Sequence, residues 1–101
     1  MLVYNVTTKV SSAIHHDWLA WMQKIHIPAV MQTGCFTEYK ILRLLDIDDS
    51  EGPTYAIQYF AANRADYENY IASFAPALRK ETTDKWGQQI IGFRSLMAVV
   101  N

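Results

Sequence analysis

"FTEYKILRLLDIDDSEGPTYAIQYF", residues 36–60, decides the fold. Two runs rich in β-branched, aromatic and long apolar residues, "FTEYKILRLLD" (36–46) and "TYAIQYF" (54–60), flank the polar segment "DIDDSEGP". Runs of this kind separated by turn-forming Asp, Ser, Gly and Pro predict an antiparallel hairpin. Upstream, "LVYNVT" (2–7) alternates Leu2, Tyr4 and Val6 with Val3, Asn5 and Thr7, the period of a strand. Ser11 or Ser12 is placed to cap a helix whose apolar positions Ile14, Trp18, Trp21, Met22, Ile25 and Ala29 share one face, and Gly34 supplies its stop. Downstream, Asn63 with Asp66 three residues later forms a capping pattern. A second stripe, Tyr67, Tyr70, Ile71, Phe74 and Leu78, runs on to Gly87, and "IIGFRSLMAVV" (90–100) makes a last strand.

The order β-α-β-β-α-β, with right-handed crossovers, predicts a four-stranded antiparallel sheet carrying both helices on one face. This is an α+β, ferredoxin-like domain, expected to span residues 1–101 as a single unit. The two halves rhyme, each with a proline inside its helix (Pro28, Pro76) and a glycine after it (Gly34, Gly87). Proline removes a backbone donor and clashes with the carbonyl four residues back, so both helices should kink or restart there.

Composition narrows the functions. Half of the 101 residues are hydrophobic and 13% aromatic, enough for a core without staples. A chain of this length buries roughly 65% of its unfolded surface. Nine basic residues against ten acidic ones leave a net charge of −1, and the basic residues are scattered. No cationic cluster of the kind that holds phosphates is present, and "TYAIQYF" lacks the glycine and aromatic placement of an RNA-binding strand, so no nucleic-acid partner is expected. No run approaches 18 apolar residues and no leader pattern opens the chain, so the expectation is a cytoplasmic protein with no membrane partner.

Metal and cofactor motifs are missing too. Cys35 is the only cysteine, which leaves no disulfide and no thiolate cage. His15 and His26 are separated by eleven residues of one helix, about 16 Å, too far to share an ion. The acidic run Asp46–Glu51 has Glu51 where a calcium loop needs glycine and Ile57 where it needs glutamate. No phosphate loop, paired-cysteine motif or serine elbow occurs, so neither a metal nor a cofactor is expected.

The aromatic load on one sheet face is more informative. Tyr4, Tyr55 and Tyr59 alternate onto the side that meets helices carrying Trp18, Trp21 and Tyr70. Buried phenols need hydrogen-bond partners, and His26 on the helix shoulder is one candidate. Tyr4, Trp18, His26, Tyr55 and Tyr59 are therefore the candidates for an aromatic-walled pocket taking a small apolar or aromatic ligand, beside the plainer reading of a filled aromatic core. Because Pro28 cannot donate to the carbonyl of Lys24, the first helix should break near His26. The imidazole is expected chiefly to bond the freed carbonyls and pack on the core.

The segments "YNVT" (4–7), "WLAWMQKIHIPAVMQTGCF" (18–36), "TYAIQY" (54–59), "APALR" (75–79) and "FRSLMAVV" (93–100) resemble those of a family of short bacterial proteins, domain-of-unknown-function family 4286. The resemblance covers nearly the whole chain, with "HIPAVMQTGCF" its most specific block. It implies a dimeric α+β barrel, in which two ferredoxin-like sheets pack face to face, and it carries no reaction. Superfamily relatives of that barrel include cofactor-free monooxygenases, isomerases and haem-degrading enzymes, with active sites between sheet and helices, and Asn5 with Trp18 offers a partial echo of them. The second helix has no histidine for haem chemistry of that kind.

Two functional readings follow: a homodimeric small-molecule-binding or structural module, or a cofactor-independent monooxygenase- or isomerase-like enzyme for a small aromatic or quinone-like substrate. The homodimer has a physical basis as well. The sheet face away from the helices is expected to carry Val3, Asn5, Thr7, Ala56, Gln58 and Phe60, with Arg94, Leu96, Ala98 and Val100 from the last strand. A half-apolar face of that size is not left open to water. Asn5, Gln58, Arg94 and Leu96 are the candidate interface residues.

Overall fold

The computed structural model describes residues 1–101. The hairpin forms where the sequence places it. Strand β2 (Glu38–Arg43) pairs antiparallel with β3 (Thr54–Ala61), Ile41 opposite Ile57 and Arg43 opposite Tyr55. Leu44, Leu45 and Ile47, read as strand and turn, all belong to the connection, where Asp46 takes a left-handed φ of 59°. Asp tolerates that conformation because its short side chain bonds locally. Asp48 Oδ1 accepts from the Ser50 N–H at 3.0 Å, and that bond holds its carboxyl below the usual carboxylate range.

Strand β1 (Leu2–Val10) lies between β3 and β4 (Ile90–Ala98), antiparallel to both, giving the order β2-β3-β1-β4. This is the ferredoxin-like arrangement. Tyr4 stands opposite Tyr59 on one side and Leu96 on the other. Side chains directly opposite share a face. The face of Leu2, Tyr4, Val6, Thr8 and Val10 therefore also carries Tyr55, Ile57, Tyr59 and Ala61, and from β4 it carries Ile90, Gly92, Arg94, Leu96 and Ala98.

That placement corrects one expectation. Arg94, Leu96 and Ala98 lie on the helix side, and the opposite face takes Ile91, Phe93, Ser95 and Met97 from β4; Val100 lies beyond the strand. "IIGF" and "LMAVV" carry apolar residues at consecutive positions, so alternation there does not define which parity faces in. The pairing with β1 does, and a slip of one residue exchanges every side chain between faces.

The two prolines act differently. Helix α1 (His15–Trp21), a π-helical turn (Met22–His26) and α2 (Ile27–Gln32) form one continuous run, with right-handed helical angles at both junctions. The Ile27 N–H donates five residues back to the carbonyl of Met22, and Pro28 follows immediately. The turn widens to admit the proline and the helix does not break. Gly34, at φ 76°, follows the end of α2. No serine caps α1: Ile14 occupies the cap position, and its N–H donates to the Ser11 carbonyl at 3.1 Å in a preceding turn. In the second half, helix α3 (Arg64–Ser73) starts at Asn63, whose Oδ1 accepts from the Asp66 N–H at 2.9 Å. Phe74 then leaves helical geometry and α4 (Ala75–Trp86) restarts with Pro76 in its first turn, where a missing N–H costs nothing. Gly87, at φ 54°, ends α4.

One core joins the sheet to the helices. Trp18, Ile27, Ile57, Val10 and Val30 are its most completely buried large residues. Each such side chain contributes about 1.5–3 kcal/mol by leaving water. Tyr4, Phe36, Tyr59 and Tyr70 stack and tilt against one another with ring centroids 4.8–6.1 Å apart. No helix is long and apolar enough to cross a membrane.

Candidate functional site

Beside that aromatic cluster, helices and sheet do not close. A cavity of about 230 Å³ remains between them. Its floor is the helix face of the sheet, at Tyr4, Val6, Thr8, Ile57 and Tyr59. The widened turn brings Met22 and His26 to one wall, Leu78, Arg79 and Thr82 of α4 form another, and the exposed Arg94 of β4 reaches the open side. The π-turn has a direct consequence here. An ordinary α-helical turn before Pro28 would advance Met22 and His26 by about 100° per residue in a different register, so the extra residue sets which side chains look inward.

Four of the five predicted pocket residues line this space: Tyr4, Trp18, His26 and Tyr59. Tyr55 does not. Its hydroxyl lies 2.6 Å from His15 Nε2, and its ring packs 5.4 Å from that of Trp18. The imidazole that supports a buried phenol is thus His15, not His26. His15 is in turn pushed toward its neutral form by burial first, then by His16, whose ring stacks on it at 5.0 Å, and by Arg43.

His26 also departs from its expected role as a cap. It bonds no helix carbonyl, and its Nδ1 is buried without any hydrogen-bond partner. The ring stacks on Trp21 at 5.1 Å, so the packing half of the expectation holds. Burial lowers the His26 pKa to about 4, which makes the imidazole neutral at physiological pH. The physical reason for the difference is the π-turn, which keeps the helix going and leaves no helix end at His26 for it to serve.

Buried polar atoms without partners are rare in folded proteins, because each costs about 1–3 kcal/mol of desolvation. This chain has five, and four of them belong to residues of the cavity wall: Trp18 Nε1, His26 Nδ1, Tyr59 Oη and Arg79 Nε. Arg79 is held in place by its other end, where Nη2 donates to Tyr4 Oη at 3.2 Å. Burial raises the pKa of the Tyr59 and Tyr70 phenols, with neighbouring tyrosines adding to it, so both remain protonated donors.

Arg79 and Thr82 are additions to the expected pocket residues, and Arg94, expected at the interface, joins them. Arg79 sits one position beyond the Leu78 stripe, a signal available only once the direction of α4 over the sheet is known. Arg94 was assigned to the wrong face by the slip in β4. Asn5 and Gln58 face away from the cavity, opposite each other on β1 and β3, and Asn5 Nδ2 donates to Thr7 Oγ1 at 2.9 Å. The Asn5–Trp18 echo of the superfamily relatives is therefore split across the two faces of the sheet. Cys35 is buried, with Asn69 Nδ2 3.6 Å from its sulfur, and it lies outside the cavity wall.

Fold and site together define a ferredoxin-like α+β protein with an aromatic, arginine-bearing cavity between sheet and helices. The chain belongs to the family described as Domain of unknown function (DUF4286), which matches residues 1–100. No curated protein sequence matches it. Among solved structures it is similar to SnoaB, a cofactor-independent oxygenase from Streptomyces nogalater, with TM-score 0.72, 12% identity, and 99% of this chain and 94% of that one covered. It is similar also to HapK from Hahella chejuensis, with TM-score 0.70, 8% identity, and 99% and 93% covered. A dimeric ferredoxin-like protein from an uncultured marine organism gives TM-score 0.68, 14% identity, and 99% and 95% covered. At these identities the likeness is one of fold.

Proposed function

We propose that the protein is a homodimer that binds a small planar, apolar or aromatic molecule in the cavity between its sheet and helices. The observation that carries this reading is an open cavity of about 230 Å³ between sheet and helices, walled by aromatic side chains with Arg79, Arg94 and His26 among them. A core selected for packing alone would have closed over that space. A bound molecule fills it, and the aromatic wall supplies much of its contact.

The dimer follows from the other face. Ile91 and Phe93 are 72% and 62% exposed there, flanked by Met97, Leu42 and Phe60 around a polar centre of Asn5, Gln58 and Ser95. Two such faces related by a two-fold axis would bury on the order of 1,600 Å². The dimeric ferredoxin-like neighbours support this arrangement.

The direct test of the pocket is a metabolite panel read by thermal shift and native mass spectrometry, run beside Thr82→Trp, which fills the cavity. Compounds that stabilise the wild type and leave Thr82→Trp unmoved support the reading. A panel of planar aromatics and quinones that shifts neither protein refutes it.

A second reading, a cofactor-independent enzyme acting on a small aromatic or quinone-like substrate, draws on one observation: His26, whose imidazole is neutral at physiological pH, is among the residues of the cavity wall. SnoaB, of similar fold, is named a cofactor-independent oxygenase. Oxygen uptake from air in the presence of a naphthalene-sized quinol, above the uncatalysed rate and lost in His26→Phe, is the expected result for this reading. Binding without turnover would leave the first.

A further inference from the structure

The cavity wall is one-sided in charge and in hydrogen bonding. It carries two arginines and no Asp or Glu. The chain has four arginines. Arg43 and Arg64 pair with Asp49 and Glu68 on the surface, whereas Arg79 and Arg94, the two at the cavity, pair with no carboxylate. Their charge is left uncompensated where part of the Arg79 guanidinium is already out of water.

The unpartnered atoms point the same way. Trp18 Nε1 and Arg79 Nε are donors that cannot accept, and the protonated Tyr59 hydroxyl is free to donate. The residues of the wall are thus rich in hydrogen-bond donors and include no carboxylate. Arg79 is half-buried, and a carboxylate or phenolate oxygen is the best complement of its guanidinium, because the planar fork matches it with short charge-assisted bonds. Size sets a further limit. A cavity of about 150 Å³ holds benzene, so one of about 230 Å³ has room for one or two fused rings.

We propose that the cavity takes a small planar aromatic acid, its anionic oxygen bound by Arg79 with Arg94 at the entrance and its ring against the aromatic wall. This rests on the pocket reading above and narrows it from planar molecules in general to anionic ones. Arg79 is a binding residue here, pre-oriented by the Tyr4 hydroxyl.

Calorimetric titration of the full chain with 2-naphthoate and with 2-naphthamide, its neutral isostere, tests it. The expected result is at least about tenfold tighter binding of the acid, the scale of a charge-assisted pair in a partly dry site. Arg79→Met should bring the two affinities together while the amide still binds. The acid-to-amide ratio in the wild type decides the matter even where that variant folds poorly, and Arg94→Gln offers a milder change at the entrance, expected to weaken the acid alone. Equal binding of acid and amide would overturn the anion assignment and leave the pocket reading standing. Failure of both probes, while a neutral planar compound of the metabolite panel binds, would also overturn it. Failure of every compound would remove both.

Discussion

His26 shows what a single side chain contributes to this molecule. Its folded pKa, about 4, lies below the ordinary value of 6.5, so the unfolded chain takes up the proton first. Its contribution to stability is intact above pH 6.5, is lost as pH falls toward 4, and does not change further below that. At pH 5 the loss amounts to about 2 kcal/mol. Urea unfolding of wild type and His26→Gln at pH 7 and pH 5 should show this difference in slope, because His15, shifted in the same direction, cancels in the comparison. Parallel pH profiles would mean that His26 is solvated and not part of the wall. The tyrosines that face the helices and the tryptophan that faces the sheet were legible residue by residue, since strand alternation and helical spacing each fix a direction. His26 was legible as a pocket candidate and misread as a helix cap: no sequence signal separates a helix that breaks at Pro28 from one that widens before it.

At the scale of elements, caps and registers decide. Asn63 bonds the Asp66 N–H at the start of α3, so Asn63→Ala should cost about 1 kcal/mol and Asn63→Asp almost nothing, measured by thermal unfolding. Equal losses would show the cap to be idle. The β4 register makes a sharper prediction. Phe93 lies on the open face and Leu96 on the helix face. Phe93→Glu should convert dimers to monomers by placing a carboxylate in the interface, while Leu96→Glu should remain dimeric with lowered stability. Sedimentation velocity distinguishes them, and the reverse pattern would put β4 one residue out of register. The four strands, the two helical segments and both glycine stops could be read from composition and period. The parity of β4 could not, because its apolar residues stand side by side and only pairing with β1 chooses between the faces.

For the molecule as a whole, the sheet is a partition with different work on each side. One face meets the helices and borders the cavity; the other presents Ile91, Phe93 and Met97 around Asn5 and Gln58. Wild-type protein should sediment as a dimer at micromolar concentration, and a monomer there would leave that apolar face unexplained. The cavity is the central claim, and residues of its wall can report on it. In a ¹H–¹⁵N spectrum the Trp18 indole and Arg79 Nε–H resonances belong to donors with no partner in the protein. On saturation with a naphthalene-sized acid or its amide, those two signals should move together with the backbone of Met22 and Gly92, while Asn5 and Gln58 side-chain amides on the far face stay in place. Shifts confined to the far face, or none at the Trp18 indole with any planar probe, would contradict a ligand site between sheet and helices.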